Sequence, residues 1–241
     1  MNEEYSQGGS RIYRHTAEEF QQDYQDLGES SLEEIDAHIT RWLGNVSGVF
    51  HELISPTVHV DIHLVPPTRD RNFNILVTSG MSDKPMNSPF PETRYAEVVA
   101  LLPPDWKLDQ ASFEDENNYW PIRQLKLLAR FPHEFNTWVW ATHTIPNGDP
   151  PEPYAPSTNL SCILLYYPIS LPRGFHTLTV NEEKEISFLA LIPIFKDEME
   201  FKLKHGVDDL IEKFDAKGIT ELFDISRPSC LKRSGLRGLF G

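Results

Sequence analysis

Three alternating polar residues form the first pattern in the chain whose types and spacing could do chemistry. His59, Asp61 and His63 alternate with apolar residues, so in a β-strand their side chains leave the same face. Imidazole and carboxylate groups bind zinc, but His59 and His63 start roughly 13 Å apart and cannot share an ion held at about 2 Å from each nitrogen. His59 and Asp61 remain a candidate metal pair that needs ligands from elsewhere. A polar sheet face or a hydrogen-bonded Asp–His pair is the favoured alternative.

Two other histidines, His51 and His133, each precede a glutamate, as in the His-Glu-x-x-His zinc motif. That motif needs a second histidine one helical turn later, and Ser55 and Thr137 stand at those positions instead. The sequence also contains no Walker loop, Rossmann glycine triplet or Gly-x-Ser-x-Gly elbow. The motif content therefore predicts no catalytic residue, no cofactor and no bound metal.

The remaining reactive side chains have simpler explanations. Cys162 lies in an apolar run and Cys230 in a polar one, so we expect no disulfide between them. Cys162 is interpreted as a small buried apolar residue and not as a nucleophile. The carboxylates at 114–116 stand in a polar connection, where burial is not expected to tune their pKa values for acid–base work.

Aromatic residues next to acidic ones favour binding over catalysis. Six aromatic residues crowd one third of the chain: Trp106, Tyr119, Trp120, Phe135, Trp138 and Trp140. Aromatic side chains often anchor interfaces, although core packing is the favoured role for Trp120 and Trp138. An acidic stretch at 109–116 lies beside this group and provides a charged rim. The predicted partner-binding residues are Trp106, Asp109, Glu114, Asp115, Glu116 and Tyr119.

Hydrophobic periodicity predicts the helices that would position these residues. Ser31 and Glu34 have the spacing of a capping box at the start of a helix over 32–43. Pro121 is predicted to open a second helix, which should end near residue 131 because Pro132 disfavours helical geometry before it. Two more amphipathic or charged helices are predicted at 196–205 and 207–218.

The strands and helices together indicate the fold class. Strands are predicted at 49–54, 58–65, 74–78, 95–102, 162–167, 176–180 and 186–192. Because helices and strands do not alternate strictly, the pattern predicts an α+β fold in which helices pack on a sheet. We expect a polar, partly flexible lead at 1–29, a single domain at 30–225 and a basic tail at 226–241.

The loop after the predicted strand at 74–78 is dense in turn-forming residues. Gly80 can adopt a positive φ, and the neighbouring Ser, Thr, Asp and Asn side chains can bond backbone groups. The loop is either a binding or catalytic loop at a strand end or a self-satisfied structural loop. The abundance of capping side chains favours the structural interpretation.

The charge of the chain limits its partners. It has 22 basic and 36 acidic residues and a net charge of −14, which disfavours nucleic acid and anionic membranes as partners. A basic protein partner would be attracted, although solubility alone also explains the charge. No apolar run reaches the roughly 18 residues of a membrane span. The polar, acidic start is unlike a secretory signal, so we expect a cytoplasmic protein.

Several blocks of sequence resemble the suppressor-of-fused family. "LVTSGMSDKPMN" at 76–87 is similar to the signature of that family. Other blocks match in order, from about residue 38 to about residue 193: "VFHELIS", "VHVDIHLVPPT", "LLPPDWKL", "WPIRQLKLLARFPHEFNTW" and "HTIPNG". The resemblance implies a central mixed sheet flanked by helices. It also implies structural roles for His51 and His133, such as hydrogen bonds to loop carbonyls.

The same resemblance implies a protein that works by binding another protein and is not an enzyme. Animal members sequester transcription factors, and bacterial members resemble immunity proteins that hold a cognate toxin inactive. This chain lacks the long C-terminal half of the animal proteins, which favours the bacterial role. A scaffold or regulator that sequesters another protein is the alternative. A metal-assisted hydrolase that uses His59 and Asp61 is the least favoured alternative.

Overall fold

Runs of branched and aromatic residues form a β-sheet at the centre of the fold. The structure is a computed structural model that describes residues 4–20, 29–51 and 58–232. The strands are β1 (Glu4–Tyr5), β2 (Arg11–Ile12), β3 (Gly48–Phe50), β4 (Asp61–Val65), β5 (Asn74–Ser79), β6 (Ala96–Leu102), β7 (Thr144–Pro146), β8 (Leu160–Tyr166), β9 (Thr177–Thr179) and β10 (Glu185–Phe195). The helices are α1 (Leu32–Leu43), α2 (Glu116–Glu134), α3 (Lys196–His205) and α4 (Val207–Lys217). Short 3₁₀ turns lie at Ala17–Glu19, Met81–Asp83, Pro91–Thr93, Gln110–Glu114 and Arg173–Phe175.

The strands of the main sheet pair in both directions. Within the described residues the sheet has eight strands in the order β3-β4-β5-β6-β10-β8-β7, and β9 also pairs with β10. Strands β6 and β10 are parallel, with Ser187 opposite Ala96, while the other pairs are antiparallel. Both central strands are almost completely buried, as expected when both faces of a sheet are covered.

Helices cover both faces of the sheet. Successive side chains of β5 point to opposite faces because a strand has a period of two. Leu76 enters a core with Leu125 of α2, whereas Ile75 and Val77 enter a second core with Ile39 of α1. A third cluster joins β8 and β10 to the last two helices through Cys162, Leu164, Ile192, Ile194, Leu210 and Phe214.

This architecture confirms the predicted α+β fold with a central mixed sheet. Helices α1, α3 and α4 lie where the periodicity predicts them. Strand β4 begins three residues later than predicted, and β3 covers only part of the strand predicted at 49–54. Residues 52–57 lie outside the described part of the chain. Among the described helices, none is both long enough and apolar enough to cross a membrane.

Helix α2 is longer at both ends than the predicted helix, so its predicted bounds are wrong. It begins at Glu116, because the side chain of Asp115 accepts a hydrogen bond from the backbone N–H of Asn117 at 2.9 Å and caps the helix. Pro121 and Pro132 both lie inside the helix. Tertiary packing of the buried face of α2 outweighs the two missing backbone hydrogen bonds.

The capping box predicted at Ser31 and Glu34 is not formed, although the helix begins as predicted. The side chain of Ser31 makes no capping hydrogen bond. Its backbone N–H instead donates to Asp83 Oδ1 at 3.2 Å, from a loop far along the chain. A carboxylate near a helix N-terminus also stabilises the helix dipole, so a tertiary contact replaces the local cap.

The N-terminal segment at 4–20 contacts the body of the fold. Strands β1 and β2 form a small hairpin, and the N–H of Gly8 donates to the carbonyl of Leu203 at 2.7 Å. The ring of Tyr13 packs edge-on against Trp138 with centroids 4.9 Å apart. A short 3₁₀ turn lies at Ala17–Glu19, and residues 21–28 lie outside the described part of the chain.

Two glycines with nearly the same φ allow a test of backbone crowding. Gly80 has φ 104° and a Cβ placed there would lie 1.8 Å from the carbonyl oxygen of His59, whereas Gly44 has φ 106° with open space around it. Gly44 has ψ −175°, a conformation essentially restricted to glycine, so the Gly44→Ala substitution should cost about 1–3 kcal/mol from backbone strain alone. The Gly80→Ala substitution should cost clearly more, because the backbone of His59 must move as well. Urea unfolding of both variants measures the difference, and equal losses would contradict the crowding argument.

Candidate protein-binding site

The structure brings a third side chain to the histidine–aspartate pattern. Asp61 Oδ1 lies 3.1 Å from His59 Nε2, and Asp61 Oδ2 lies 3.1 Å from His51 Nδ1. His63 instead forms a hydrogen bond with the hydroxyl of Ser79 at 2.9 Å. The interpretation as a hydrogen-bonded Asp–His pair is therefore confirmed. Across 4–20, 29–51 and 58–232, no group of three or more His, Cys, Asp or Glu side chains is arranged to hold a metal ion.

The loop that carries the signature block is buried and bonded to its surroundings. Met81 and Ser82 have no exposed surface, and His133 Nε2 lies 2.8 Å from the carbonyl oxygen of Met81. The predicted structural role of His133 is thus confirmed. Burial lowers the pKa of His133, and the hydrogen bond to Met81 only partly offsets this effect. The loop is the self-satisfied structural loop that its composition favours.

This loop folds around the buried carboxylate of Glu97, a residue that the sequence analysis did not single out. Glu97 lies in β6 with no exposed surface. Its Oε1 accepts hydrogen bonds from the backbone N–H and the hydroxyl of Ser82, at 2.9 and 2.6 Å, and its Oε2 accepts one from the Thr78 hydroxyl at 2.6 Å. The available signal was a single acidic residue inside the otherwise apolar run at 95–102.

The environment of Glu97 makes its charge costly. Burial raises the pKa of Glu97 to about 7; the hydrogen bonds from Ser82 and Thr78 oppose this shift, and the charge of Asp83 adds to it. Lys184 interacts with Glu97 through its charge, but its amine donates a hydrogen bond to the carbonyl of Glu29 at 3.0 Å. The hydrogen bonds of the loop thus stabilise a carboxyl group that forms no direct ion pair with any described residue.

The C-terminal segment at 217–232 is held by a buried ion pair. Arg227 Nη1 and Nη2 each lie 2.7 Å from one oxygen of Glu198, a residue of α3 with no exposed surface. Glu198 also accepts the N–H of Cys230 at 2.7 Å. Burial alone would raise the pKa of Glu198, but Arg227 and the backbone N–H groups lower it below its ordinary value. Residues 226–232, the start of the predicted basic tail, therefore pack against α3.

The two cysteines have no reactive environment. Cys162 and Cys230 are both buried and unpaired with each other. Burial raises the pKa of Cys162 to about 11 and that of Cys230 to about 12, so both are thiols at neutral pH. Cys162 packs against Met199 with a sulfur–sulfur distance of 3.4 Å. These contacts agree with the interpretation of Cys162 as a small apolar residue.

The aromatic residues predicted to bind a partner first of all support the segment at 106–119, which leads into α2 and is called the acidic corner below. Trp106 is half-buried; its indole N–H donates to the carbonyl of Asn118 at 3.0 Å, and its ring packs edge-on against Trp120 with centroids 6.1 Å apart. Tyr119 packs against Phe113 with centroids 5.6 Å apart. Each ring keeps an exposed fraction beside the acidic residues of this corner.

The acidic residues of the corner differ in whether they already form hydrogen bonds or ion pairs within the chain. Asp109 accepts hydrogen bonds from the hydroxyl and the N–H of Ser112. These bonds, and the one from the hydroxyl most of all, lower the pKa of Asp109. Asp115 caps α2, and Glu116 pairs with Arg123 at 2.6 Å. Glu114 is exposed at the end of the 3₁₀ turn. The six predicted residues thus lie at one corner of the structure. Three of the four carboxylates there also bond to backbone N–H groups or pair with an arginine.

A groove opens beside this corner, and the sequence did not predict it. It has a volume of about 1310 Å³ and lies between the connection from β6 to α2 and the C-terminal segment at 217–232. Trp106 lines one side and Phe223, Ile225 and Lys232 line the other. The groove exists because Arg227 holds the C-terminal segment against α3 and because the N–H of Phe223 donates to the carbonyl of Leu101 at 2.9 Å.

The titration of Glu97 can be tested by substitution. An acid whose pKa is higher in the folded chain stabilises the fold fully below its ordinary pKa of 4.5 and loses that contribution as the pH rises through about 7. Relative to Glu97→Gln, which cannot ionise, the free energy of unfolding of the wild type should fall by about 3 kcal/mol over this range. Urea unfolding at several pH values measures this difference, with exposed Glu92→Gln as the matched control. Parallel pH profiles for wild type and Glu97→Gln would contradict the buried ionisation.

The comparisons with known proteins agree with this geometry. The family model described as Suppressor of fused protein (SUFU) matches residues 56–228. A putative SUFU homologue from Neisseria gonorrhoeae FA 1090 has a similar structure, with a TM-score of 0.57 and 18% identity over 84% of this chain and 97% of that chain. A chain in the Sufu–Fu complex is also similar, with a TM-score of 0.58 and 13% identity over 84% of this chain and 93% of that one. No curated protein sequence matches the chain. Because the family model spans well over half of the chain, this protein belongs to the suppressor-of-fused family.

Proposed function

We propose that this chain is a protein-binding module without catalytic activity, and that it acts in the cytoplasm as an immunity protein that sequesters a cognate toxin domain. The observation that supports this proposal is the acidic corner between β6 and α2, where exposed carboxylates adjoin two partly exposed aromatic rings. An aromatic anchor inside a charged rim is a common design of protein interfaces.

The charge of the whole chain supports a basic partner. A net charge of −14 attracts a positively charged protein over distances of several ångströms and raises its association rate. Toxin domains that act on nucleic acid are commonly basic, since their substrates are polyanions. An acidic binding protein would reach such a domain quickly and cover its substrate-binding face.

A second candidate function is a scaffold or regulator that sequesters a protein other than a toxin. The similarity of the fold to Sufu in the Sufu–Fu complex favours this alternative, because that structure shows a relative together with a protein partner. The metal-assisted hydrolase has weaker support. His63 bonds to Ser79, so Asp61 is left with two imidazoles that it already binds by hydrogen bonds.

The immunity role predicts protection from a toxin encoded next to this chain. Co-expression of the two proteins should restore growth and yield a complex that co-purifies. If the toxin kills equally well in the presence of this chain, the immunity role is wrong. A neighbouring protein that co-purifies without being toxic would support the scaffold role instead.

The contribution of the acidic corner can be measured by charge reversal. The Glu114→Lys substitution should lower the association rate with a basic partner roughly fivefold at low salt and much less at high salt, because salt screens exposed charges. Glu182→Lys is the matched control, since it makes the same charge change in the exposed turn between β9 and β10. Stopped-flow or surface-plasmon measurements give the rates. Equal effects of the two substitutions would show that only the net charge matters.

A further inference from the structure

We propose that the groove between the β6–α2 connection and residues 217–232 binds an extended acidic peptide segment with apolar side chains, supplied by a protein partner. This site is separate from the acidic corner, which is proposed to meet a basic surface. The inference does not require that the partner be a toxin.

The size of the groove fits a peptide better than a small molecule. Its volume of about 1310 Å³ exceeds the roughly 300–1,000 Å³ of typical small-molecule pockets, and it is open to solvent along its length. Phe223, Ile219 and Ile225 provide apolar lining, and Leu222 is 36% exposed. An extended segment could place alternate side chains on this apolar floor while the others face the charged sides.

The charges that line the groove have the opposite balance to the whole chain. Its basic residues are Lys107, Lys217, Arg227 and Lys232, and its acidic residues are Asp105 and Asp224. Arg227 is neutralised by Glu198 and Lys217 has an interaction of its own, so the inference rests on Lys107 and Lys232. Asp224 accepts hydrogen bonds from the N–H and hydroxyl of Ser226, so its carboxylate is already engaged.

Two of these lysines are available to a ligand. Lys107 lies on the β6–α2 connection and Lys232 on the C-terminal segment, so one stands on each side of the groove. Both are exposed, and neither forms a salt bridge within the described part of the chain. Cations on both sides of an apolar floor, in a chain of net charge −14, select for carboxylates at the ends of the contact and against basic segments.

The sides of the groove are already in place before any ligand binds. Phe223 stacks on Trp120 with centroids 5.2 Å apart, and the ion pair between Arg227 and Glu198 anchors the segment that follows. The indole N–H of Trp106 is bonded to Asn118, which fixes the opposite side. A preformed groove loses little conformational entropy on binding, which is what a docking site for a flexible segment requires.

Other occupants fit the charges less well. Residues 233–241 follow directly after the groove, but their sequence carries Arg233 and Arg237 and no acidic residue. Single-stranded nucleic acid would match the lysines, but its binding sites are basic grooves that follow the whole backbone, whereas this groove also carries Asp105 and Asp224. An acidic and apolar protein segment is matched by both the cations and the floor.

The test uses a fluorescein-labelled dodecapeptide that alternates glutamate and leucine, added to the full chain and followed by fluorescence anisotropy. It should bind more tightly than a glutamate–serine peptide, a lysine–leucine peptide, a peptide with the sequence of residues 233–241, or single-stranded DNA. The double variant Lys107→Glu/Lys232→Glu should weaken binding about tenfold at low salt, because both cations are reversed. The matched control Arg69→Glu/Lys204→Glu makes the same net charge change at exposed positions outside the groove and should leave binding within about twofold of the wild type.

Each outcome supports or overturns the inference. Loss of binding in the groove variant with retention in the control variant supports it. Absence of binding by the glutamate–leucine peptide, equal losses in both double variants, or tighter binding of any of the other four probes overturns it. Circular dichroism verifies that both variants are folded. Peptide binding that survives in a chain that fails to neutralise a toxin would overturn the immunity proposal alone.

Discussion

The carboxyl group of Glu97 is the constraint on which the centre of the fold depends. It lies in a fully buried strand and pairs with no basic side chain in the part of the chain that the structure describes, so hydrogen bonds must offset the cost of removing it from water. Thr78 and Ser82 supply those bonds, and this requirement forces the loop after β5 to fold back onto β6. The same loop then places Asp83 at the start of α1 and a carbonyl against His133 of α2. One buried acid therefore connects the sheet to the helices on both of its faces.

A buried ion pair has a similar effect on the C-terminal segment at 217–232. Glu198 is held by Arg227, and this contact fixes the segment after α4 so that it forms one side of the groove. In both places buried polar side chains hold loops in position. A rigid frame that displays a charged corner beside a preformed groove suits a protein whose work is to hold a partner, since little order is lost when the partner binds.

The electrostatic character of the surface divides at this corner. The acidic residues from Asp109 to Glu116 agree with the net charge of −14, whereas the groove beside them has a local excess of lysine. Trp106 belongs to both regions, because it lines the groove and stands at the edge of the acidic stretch. A partner that presents a basic surface together with an acidic, apolar segment would match both regions at once. Its binding would then depend on shape and charge at two places, which favours specificity over simple attraction.

Local periodicity and turn chemistry were enough to predict the α+β class, the positions of most strands and three helices with their ends. Short blocks of residues were enough to predict the family and showed no known catalytic motif. The length of α2 is visible only in the folded chain, since packing of its buried face outweighs Pro121 and Pro132. The same holds for the group that caps α1, for the contact of His51 with the carboxylate of Asp61, and for the burial of Glu97 and Glu198. Each of these contacts joins residues from separate elements of the chain. Local pattern carries no information about such contacts, because they form only when the sheet brings distant segments together.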